Sequence, residues 1–411
     1  MWTDILKLSK WLLLILLIGG TVGSISAFFL EALDYVTNQR NQNMYWVYAL
    51  PIGGLLIGYC YFYLDKGIKG GNNHLIKEMI LPKKRIHWKM TPLVLFGTLA
   101  THLFGGSAGR EGTAVQMGGA TADQFAGLVE SGKNTRKIIL RMGVAAGFAS
   151  IFGTPIAGVL FAYELGRDKQ FDFRAVFPIV SVSFIADYAC YLWGVGHTTY
   201  EISQLPEFSI NTLLWVLLAA VLFGLSALSF NYLKKGFVLL FKKVIKFPPL
   251  RPFFGGVVLL IAVLIMDSTK FLGLGIPTIE AAFHTQETIY TALIKIIFTA
   301  FTLGAGFKGG EATPLFFIGA TLGSALILFI PLPISLLAGL GFIAVFAGST
   351  NTPIACVAMG AELFGIAALP YYIIVCLIAF FITGNTSVYS QQREYLKKIS
   401  LLQQRIKKPK E

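Results

Sequence analysis

The sequence predicts an all-α membrane protein that crosses the bilayer many times, and three observations carry that reading. Of its 411 residues, 55% are hydrophobic. Only 13% are charged, about half the share of an ordinary soluble domain. The apolar residues fall in long runs that do not alternate, which excludes a membrane barrel built of alternating strands. A water-soluble globule of this length needs more polar surface, and a disordered chain holds far fewer apolar residues. Helices remain as the way to satisfy a backbone inside lipid.

The formal net charge of +13 first suggests a nucleic-acid partner. Its placement excludes one. The basic residues gather in Lys66–Lys89, Arg136–Arg141, Lys234–Lys246 and Arg393–Lys410, and each cluster borders an apolar run. That is how cytoplasmic loops look under the positive-inside rule, with anionic lipid headgroups as a secondary partner. Cys60, Cys190, Cys356 and Cys376 show no CxxC spacing, so neither a zinc site nor a disulfide framework is indicated. Lys7 and Lys10 precede the apolar run Trp11–Gly20. We read this as a first membrane helix and not a signal peptide, because apolar character resumes through Leu30.

Apolar segments follow near 11–30, 44–64, 92–104, 113–128, 138–165, 175–193, 211–233, 253–266, 288–305, 313–330, 333–347, 353–366 and 369–383. Several reach the ~20 residues that cross a bilayer. Others are short or broken by Gly and Pro, the mark of a transporter with discontinuous helices. An internal repeat supports this. Gly109-Arg110-Glu111-Gly112-Thr113 recurs as Gly309-Gly310-Glu311-Ala312-Thr313 at an offset of 200. Thr154-Pro155-Ile156-Ala157 with Glu164 recurs as Thr352-Pro353-Ile354-Ala355 with Glu362 at an offset of 198. We expect two related halves, 1–205 and 206–390, joined through the polar stretch Thr198–Ser209. A basic cytoplasmic tail helix is expected over 391–411, with no soluble regulatory domain.

Four motifs carry chemistry. A Gly-rich stretch ending in Gly109-Arg110-Glu111-Gly112-Thr113 opens an apolar helix. The free N–H groups of such a helix start hold an anion without Lys or Arg. Glu111 lies there at membrane depth, where a carboxylate is costly unless it is functional. Its side chain can occupy the anion's place and protonation would release it, giving a gate and a proton carrier in one residue; a plain helix cap is the alternative. Gly309-Gly310-Glu311-Ala312-Thr313-Pro314 is the partner motif, with Pro314 fitting a first helical turn. Glu311 and Thr313 read equally as caps or as ion contacts. Gly71-Asn72-Asn73 leads into a third short helix; its amides offer N–H donors, or else Asn caps the helix. Tyr389, just past the polar break at Thr383–Ser387, can aim a hydroxyl at an anion or anchor the interface.

Gly-Arg-Glu-Gly at 109–112, Gly-x-Lys-Gly-Gly-x-x-x-Pro at 306–314, Pro-Ile-Ala-Gly-Val-Leu-Phe-Ala-x-Glu at 155–164 and the late Tyr389 resemble the CLC family of chloride channels and anion/proton antiporters. The resemblance covers nearly the whole chain. It implies a homodimer with one anion pathway per subunit, a fold of many tilted, broken helices in two inverted halves, and cytoplasmic termini in the cell inner membrane. It implies that Glu111 is the gating glutamate and Tyr389 the central anion-coordinating tyrosine. By position it places Asn72, Asn73, Gly112, Thr113, Ala312 and Thr313 at the anion, on backbone turns formed by Gly71, Gly109, Arg110, Gly309, Gly310 and Glu311.

The departures from that pattern matter. Asn72 stands where typical chloride-transporting members carry a coordinating serine, Thr113 where they carry Pro, and Ala312 where they carry Phe. Leu165 takes the position of the inner proton-relay glutamate. Together these resemble the bacterial fluoride branch of the family, implying export of fluoride in exchange for protons. Fluoride is small and tightly hydrated, and amide donors suit it. Without an inner relay, Glu111 must swing between both sides or pass its proton with the fluoride. A chloride channel or chloride/proton antiporter on the same fold is the nearest alternative. A membrane enzyme would need a nucleophile–base or metal constellation, and the sequence offers none. An organic-substrate carrier would leave Gly-Arg-Glu-Gly without a reason. No cofactor is required on this reading; whether a structural monovalent cation sits near Thr313 is open at this level.

Overall fold

The computed structural model describes residues 2–64, 68, 70–129, 132–166 and 172–392. The tail helix expected over 391–411 therefore lies, from 393 on, outside the described residues. The chain runs through α1 (Trp2–Gln42), α2 (Tyr45–Tyr48), α3 (Leu50–Leu64), α4 (Asn72–Ile80), α5 (Met90–Leu103), α6 (Glu111–Gln124), α7 (Lys133–Phe152), α8 (Pro155–Gly166) and α9 (Phe173–Leu192). It continues through α10 (Ile210–Val244), α11 (Leu250–Met266), α12 (Ile276–Ala282), α13 (Ile289–Ala305), α14 (Ala312–Ala325), α15 (Ile334–Thr350), α16 (Pro353–Phe364) and α17 (Leu369–Thr383). Among the described residues the sole β pairing is a bridge between Gly109 and Gly310.

Among the described residues, four helices are long and apolar enough to span a bilayer: α1, α9, α10, and α17 with the short turn that precedes it. Most of the others have 12–17 residues and cannot cross alone. Large apolar side chains such as Leu16, Phe177, Ile265 and Phe381 are exposed on the outer surface, as a lipid-facing surface requires. The segment expected as one run over 138–165 is two helices. Gly153, at φ 69°, closes α7 with its N–H on Ala149 O at 2.8 Å, and Pro155 opens α8. The same device recurs where Asn351, at φ 57°, ends α15 and Pro353 opens α16. Of the basic cluster Lys234–Lys246, expected as a loop, the part up to Lys243 instead continues α10; its charges lie toward that helix's C-terminal end, where cations are favourable.

The repeated motifs meet reciprocally. Glu164, on α8, accepts from Ile354 N at 3.1 Å and Ala355 N at 2.7 Å at the start of α16. Glu362, on α16, accepts from Ile156 N at 2.9 Å and Ala157 N at 2.8 Å at the start of α8. Each helix start is thus closed by a carboxylate from the other, where the free N–H groups favour negative charge. Hydrogen bonds to charged groups contribute roughly 1.5–3 kcal/mol each. Glu164→Ala and Glu362→Ala should each cost at least about 2 kcal/mol by that measure, read as a lowered melting temperature in detergent. Glu164→Gln, which keeps one acceptor, should cost less.

The expected linker is irregular as predicted but not loose. Ser203 N donates to Ser335 Oγ at 3.2 Å. The Tyr200 ring stacks on Phe283 at 5.2 Å between centroids and leans on Phe342, which lies flat on Phe316 at 4.0 Å. This aromatic stack carries the linker over the start of α14.

Candidate functional site

The site forms where two Gly-rich segments cross. After α5, Ser107 is fixed to α13, its Oγ 2.8 Å from Thr299 Oγ1 and its N on Thr302 Oγ1 at 3.3 Å. Gly109 N then donates to Gly310 O at 2.7 Å, and Gly310 N to Gly109 O at 2.6 Å. The backbones touch: a Cβ on Gly310 would lie 2.6 Å from Gly112 N, and one on Gly309, which sits at φ 147°, 2.6 Å from the Ala108 methyl. Glycine is required for this approach, and it brings the starts of α6 and α14 together.

Glu111 is the first residue of α6 and is 2% exposed. Its carboxylate reaches across to α14. Oε2 accepts from Thr313 N at 3.0 Å and from Arg110 N at 3.1 Å, and Oε1 accepts from the Thr313 hydroxyl. The carboxylate thus holds the place at a helix N-terminus where an anion would bind. Arg110 adds positive charge, its Nε 3.8 Å from Oε1. The cap reading of Glu111 fails in its simple form, since the carboxylate serves the other motif's helix.

The repeat does not repeat this contact. The equivalent pair would be Glu311 with Thr113. Instead the Thr113 hydroxyl lies 2.7 Å from Thr98 Oγ1 on α5, and the Glu311 carboxylate pairs with Lys234 Nζ on α10. Thr113, expected as an anion contact, therefore turns its hydroxyl away to α5, and its N–H donates to Arg110 O at 3.1 Å. Glu311 occupies the N-cap position of α14 without capping it. Ala312 is buried at the first position of that helix.

Asn72 does not cap α4. Gly71 holds the cap position at φ 54°, and Asn72 is the first helical residue. Its Nδ2 lies over Gly112, where a Cβ would come within 2.9 Å. Asn72 Oδ1 is buried with no hydrogen-bond partner among the described residues. Asn73 faces elsewhere, its Oδ1 accepting from Ser390 Oγ and Gln391 N, both at 3.2 Å. That ties α4 to the segment carrying Tyr389, itself 6% exposed.

A cavity of about 390 Å³ is lined by Asn72, Tyr389, Glu311, Lys234, Lys308 and Gln116 among others. It adjoins a larger one of about 620 Å³ with Lys234, Lys235 and Lys242 on its wall; Lys234 and Asn73 line both. A third, of about 30 Å³, begins at Glu111 and Thr313 and is bounded by Arg110, His197 and Tyr200. No residue lines both this cavity and the 390 Å³ one: Glu111 and Thr313 border the water-sized space, and Glu311 and Gly309 of the crossing segment border the larger, basic one. Lys234, Gln116, His197 and Tyr200 were not legible as site residues. Only for Lys234 did a signal exist, a cation continuing an apolar run.

Broken helices, exposed apolar flanks and two helix starts closing on a buried carboxylate beside basic cavities define a polytopic membrane protein with an ion pathway through it. Residues 53–384 fit the sequence profile of the family described as "Voltage gated chloride channel". The chain belongs to that family of anion channels and exchangers. It is 42% identical over 392 residues to the "Chloride/fluoride channel protein" of Pseudomonas syringae pv. tomato, covering 94% of this chain and 87% of that one. It is 28% identical over 340 residues to the "H(+)/Cl(-) exchange transporter ClcA" of Cronobacter sakazakii, covering 76% and 72%. Its fold matches the crystal structure of a CLC-type fluoride/proton antiporter with a TM-score of 0.90 at 33% identity, covering 94% of this chain and 98% of that one.

Proposed function

We propose that this protein exports fluoride in exchange for protons, with Glu111 as the protonatable gate. The observation that carries this is the Glu111 carboxylate on the amide and hydroxyl of Thr313, at the start of α14. A carboxylate that occupies an anion's place is displaced when it is protonated or when an anion competes with it, so the two fluxes couple. Asn72 and Tyr389 are the anion's contacts in the adjoining cavity, and the backbones of Gly112 and Ala312 complete the site. The relatives named for fluoride support the choice of ion, as does an amide in place of a serine hydroxyl at position 72. Both Thr313 donors point at a negative group, which argues for an anion and against a structural cation there. The reading includes no enzymatic activity and no cofactor. It includes two inverted halves, 1–205 and 206–390, each supplying one of the crossing motifs. It further includes a homodimer in the inner membrane with both termini cytoplasmic.

The test is ion release from proteoliposomes loaded with fluoride or chloride, with external pH recorded. Fluoride efflux should exceed chloride efflux by at least about tenfold, the ratio that ~1.4 kcal/mol of differential binding produces. A fluoride gradient should also drive protons the opposite way. Faster chloride efflux would favour the chloride antiporter, and fluoride efflux without proton movement would favour a channel.

A further inference from the structure

Exchange requires that Glu111 receive protons from solution, yet its side chain is buried. The space of about 30 Å³ that opens on Glu111 and Thr313 has room for a water or two. His197 lies on its wall. The imidazole comes from the irregular segment after α9 and rests on Gly153, where an added Cβ would lie 2.6 Å from its Cδ2. Its Nε2 stands 3.6 Å from Asp187 Oδ1 on α9. Neither ring nitrogen has a hydrogen-bond partner among the described residues, and neither does Arg110 Nε. His197 and Arg110 both line the one water-sized space, and polar side chains with unfilled donors there are suited to bridging water.

We propose that His197, oriented by Asp187, relays protons between the solvent and Glu111 through this space. The inference rests on the proton-coupled reading above. In the forward step the imidazolium gives a proton to a water in the space, and that water gives one to a Glu111 carboxylate oxygen. The carboxyl group then has no charge to hold it on Thr313, and the neutral imidazole takes a new proton from solution. Histidine suits the task because its ordinary titration falls near neutrality. The charged and titratable groups that face it are Asp187 from α9, Arg110 and Glu111 from the start of α6, and Tyr200 from its own segment. The wall residues from α7, α12, α14, α15 and α16 are Ile151, Phe152, Ile276, Thr313, Phe316, Phe342 and Leu363, none of them charged.

The experiment compares wild type, His197→Gln and Asp187→Asn in proteoliposomes, following fluoride-driven proton flux through the neutral pH range and fluoride binding by calorimetry. His197→Gln should lower proton flux by about a hundredfold, the scale of a lost general acid–base group, with fluoride binding unchanged and flux partly restored by added imidazole. Asp187→Asn should keep the flux but move its pH profile to lower pH. Wild-type flux and pH profile in His197→Gln would overturn the relay. So would a loss that imidazole does not rescue together with an unmoved profile in Asp187→Asn. Wild-type protein that moves no protons on a fluoride gradient would overturn the exchange reading itself, a separate and distinguishable result.

Discussion

Proteoliposomes carrying Glu111→Gln are expected to release fluoride while proton movement falls by at least about a hundredfold, the scale of a removed proton-transfer group. The geometry explains why so conservative a change has so large an effect. The native carboxylate is acceptor-only and meets donors alone: Thr313 N, the Thr313 hydroxyl and Arg110 N. A glutamine of the same length places an NH2 group against one of these donors. It also lacks the charge that the start of α14 attracts. The gate therefore rests less firmly in the anion's place, and nothing in it titrates. Fluoride flux persists and becomes passive, set by its own gradient. Stoichiometric proton exchange retained in Glu111→Gln liposomes would sink the mechanism. A Glu111→Asp variant separates charge from reach: it can still be protonated but is one methylene short of Thr313, so it should keep some coupling at a reduced rate.

The parts of the site that sequence revealed are those that depend on local backbone. Gly109-Arg110-Glu111-Gly112 reads as a helix start with free amides because glycines permit the approach, and the structure places it so. The repeat was legible for a related reason, since Glu164 and Glu362 must recur to close each other's helix. Repeated sequence does not carry equivalent roles across the two motifs. Glu111 and Glu311 share a register, but α6 begins at Glu111 whereas α14 begins at Ala312. An α-helix turns ~100° per residue, so Thr113, two residues into α6 from Glu111, points to α5. Thr313 is reached from outside its helix by a side chain 202 residues away in sequence. Lys234 lies 77 residues from Glu311, and no local pattern announces such a pairing. Tyr200 lay in the expected linker and His197 just before it, and only packing on Gly153, Phe283 and Phe342 brings them to the site.

The largest stability effect in the chain is expected at close glycine crossings. Gly118 on α6 and Gly319 on α14 each lie at one. A Cβ on Gly319 would lie 2.0 Å from Gly341 O, and one on Gly341 2.1 Å from Gly319 O. In the first half, Gly118 and Gly143 oppose each other in the same way, at 2.2 and 2.4 Å from each other's carbonyl oxygen. These obstacles are backbone, so no side-chain rotation relieves them, and α14 must part from α15 or α6 from α7. Small residues at such crossings hold membrane helices together through close van der Waals contact, because lipid gives apolar helices little other reason to associate. Gly319→Ala should therefore exceed the ~1–3 kcal/mol typical of overpacking and leave no monodisperse protein on size-exclusion in detergent. Any surviving fraction should show impaired exchange, since parting α14 from α15 shifts the Thr313 donors that hold Glu111. Gly236 on α10 is the control, with nothing within 4 Å of an added Cβ. Gly236→Ala should be neutral or stabilise the helix by up to about 1 kcal/mol. Equal melting temperatures for Gly319→Ala and Gly236→Ala would show that the α14–α15 crossing yields where its carbonyl contacts say it cannot.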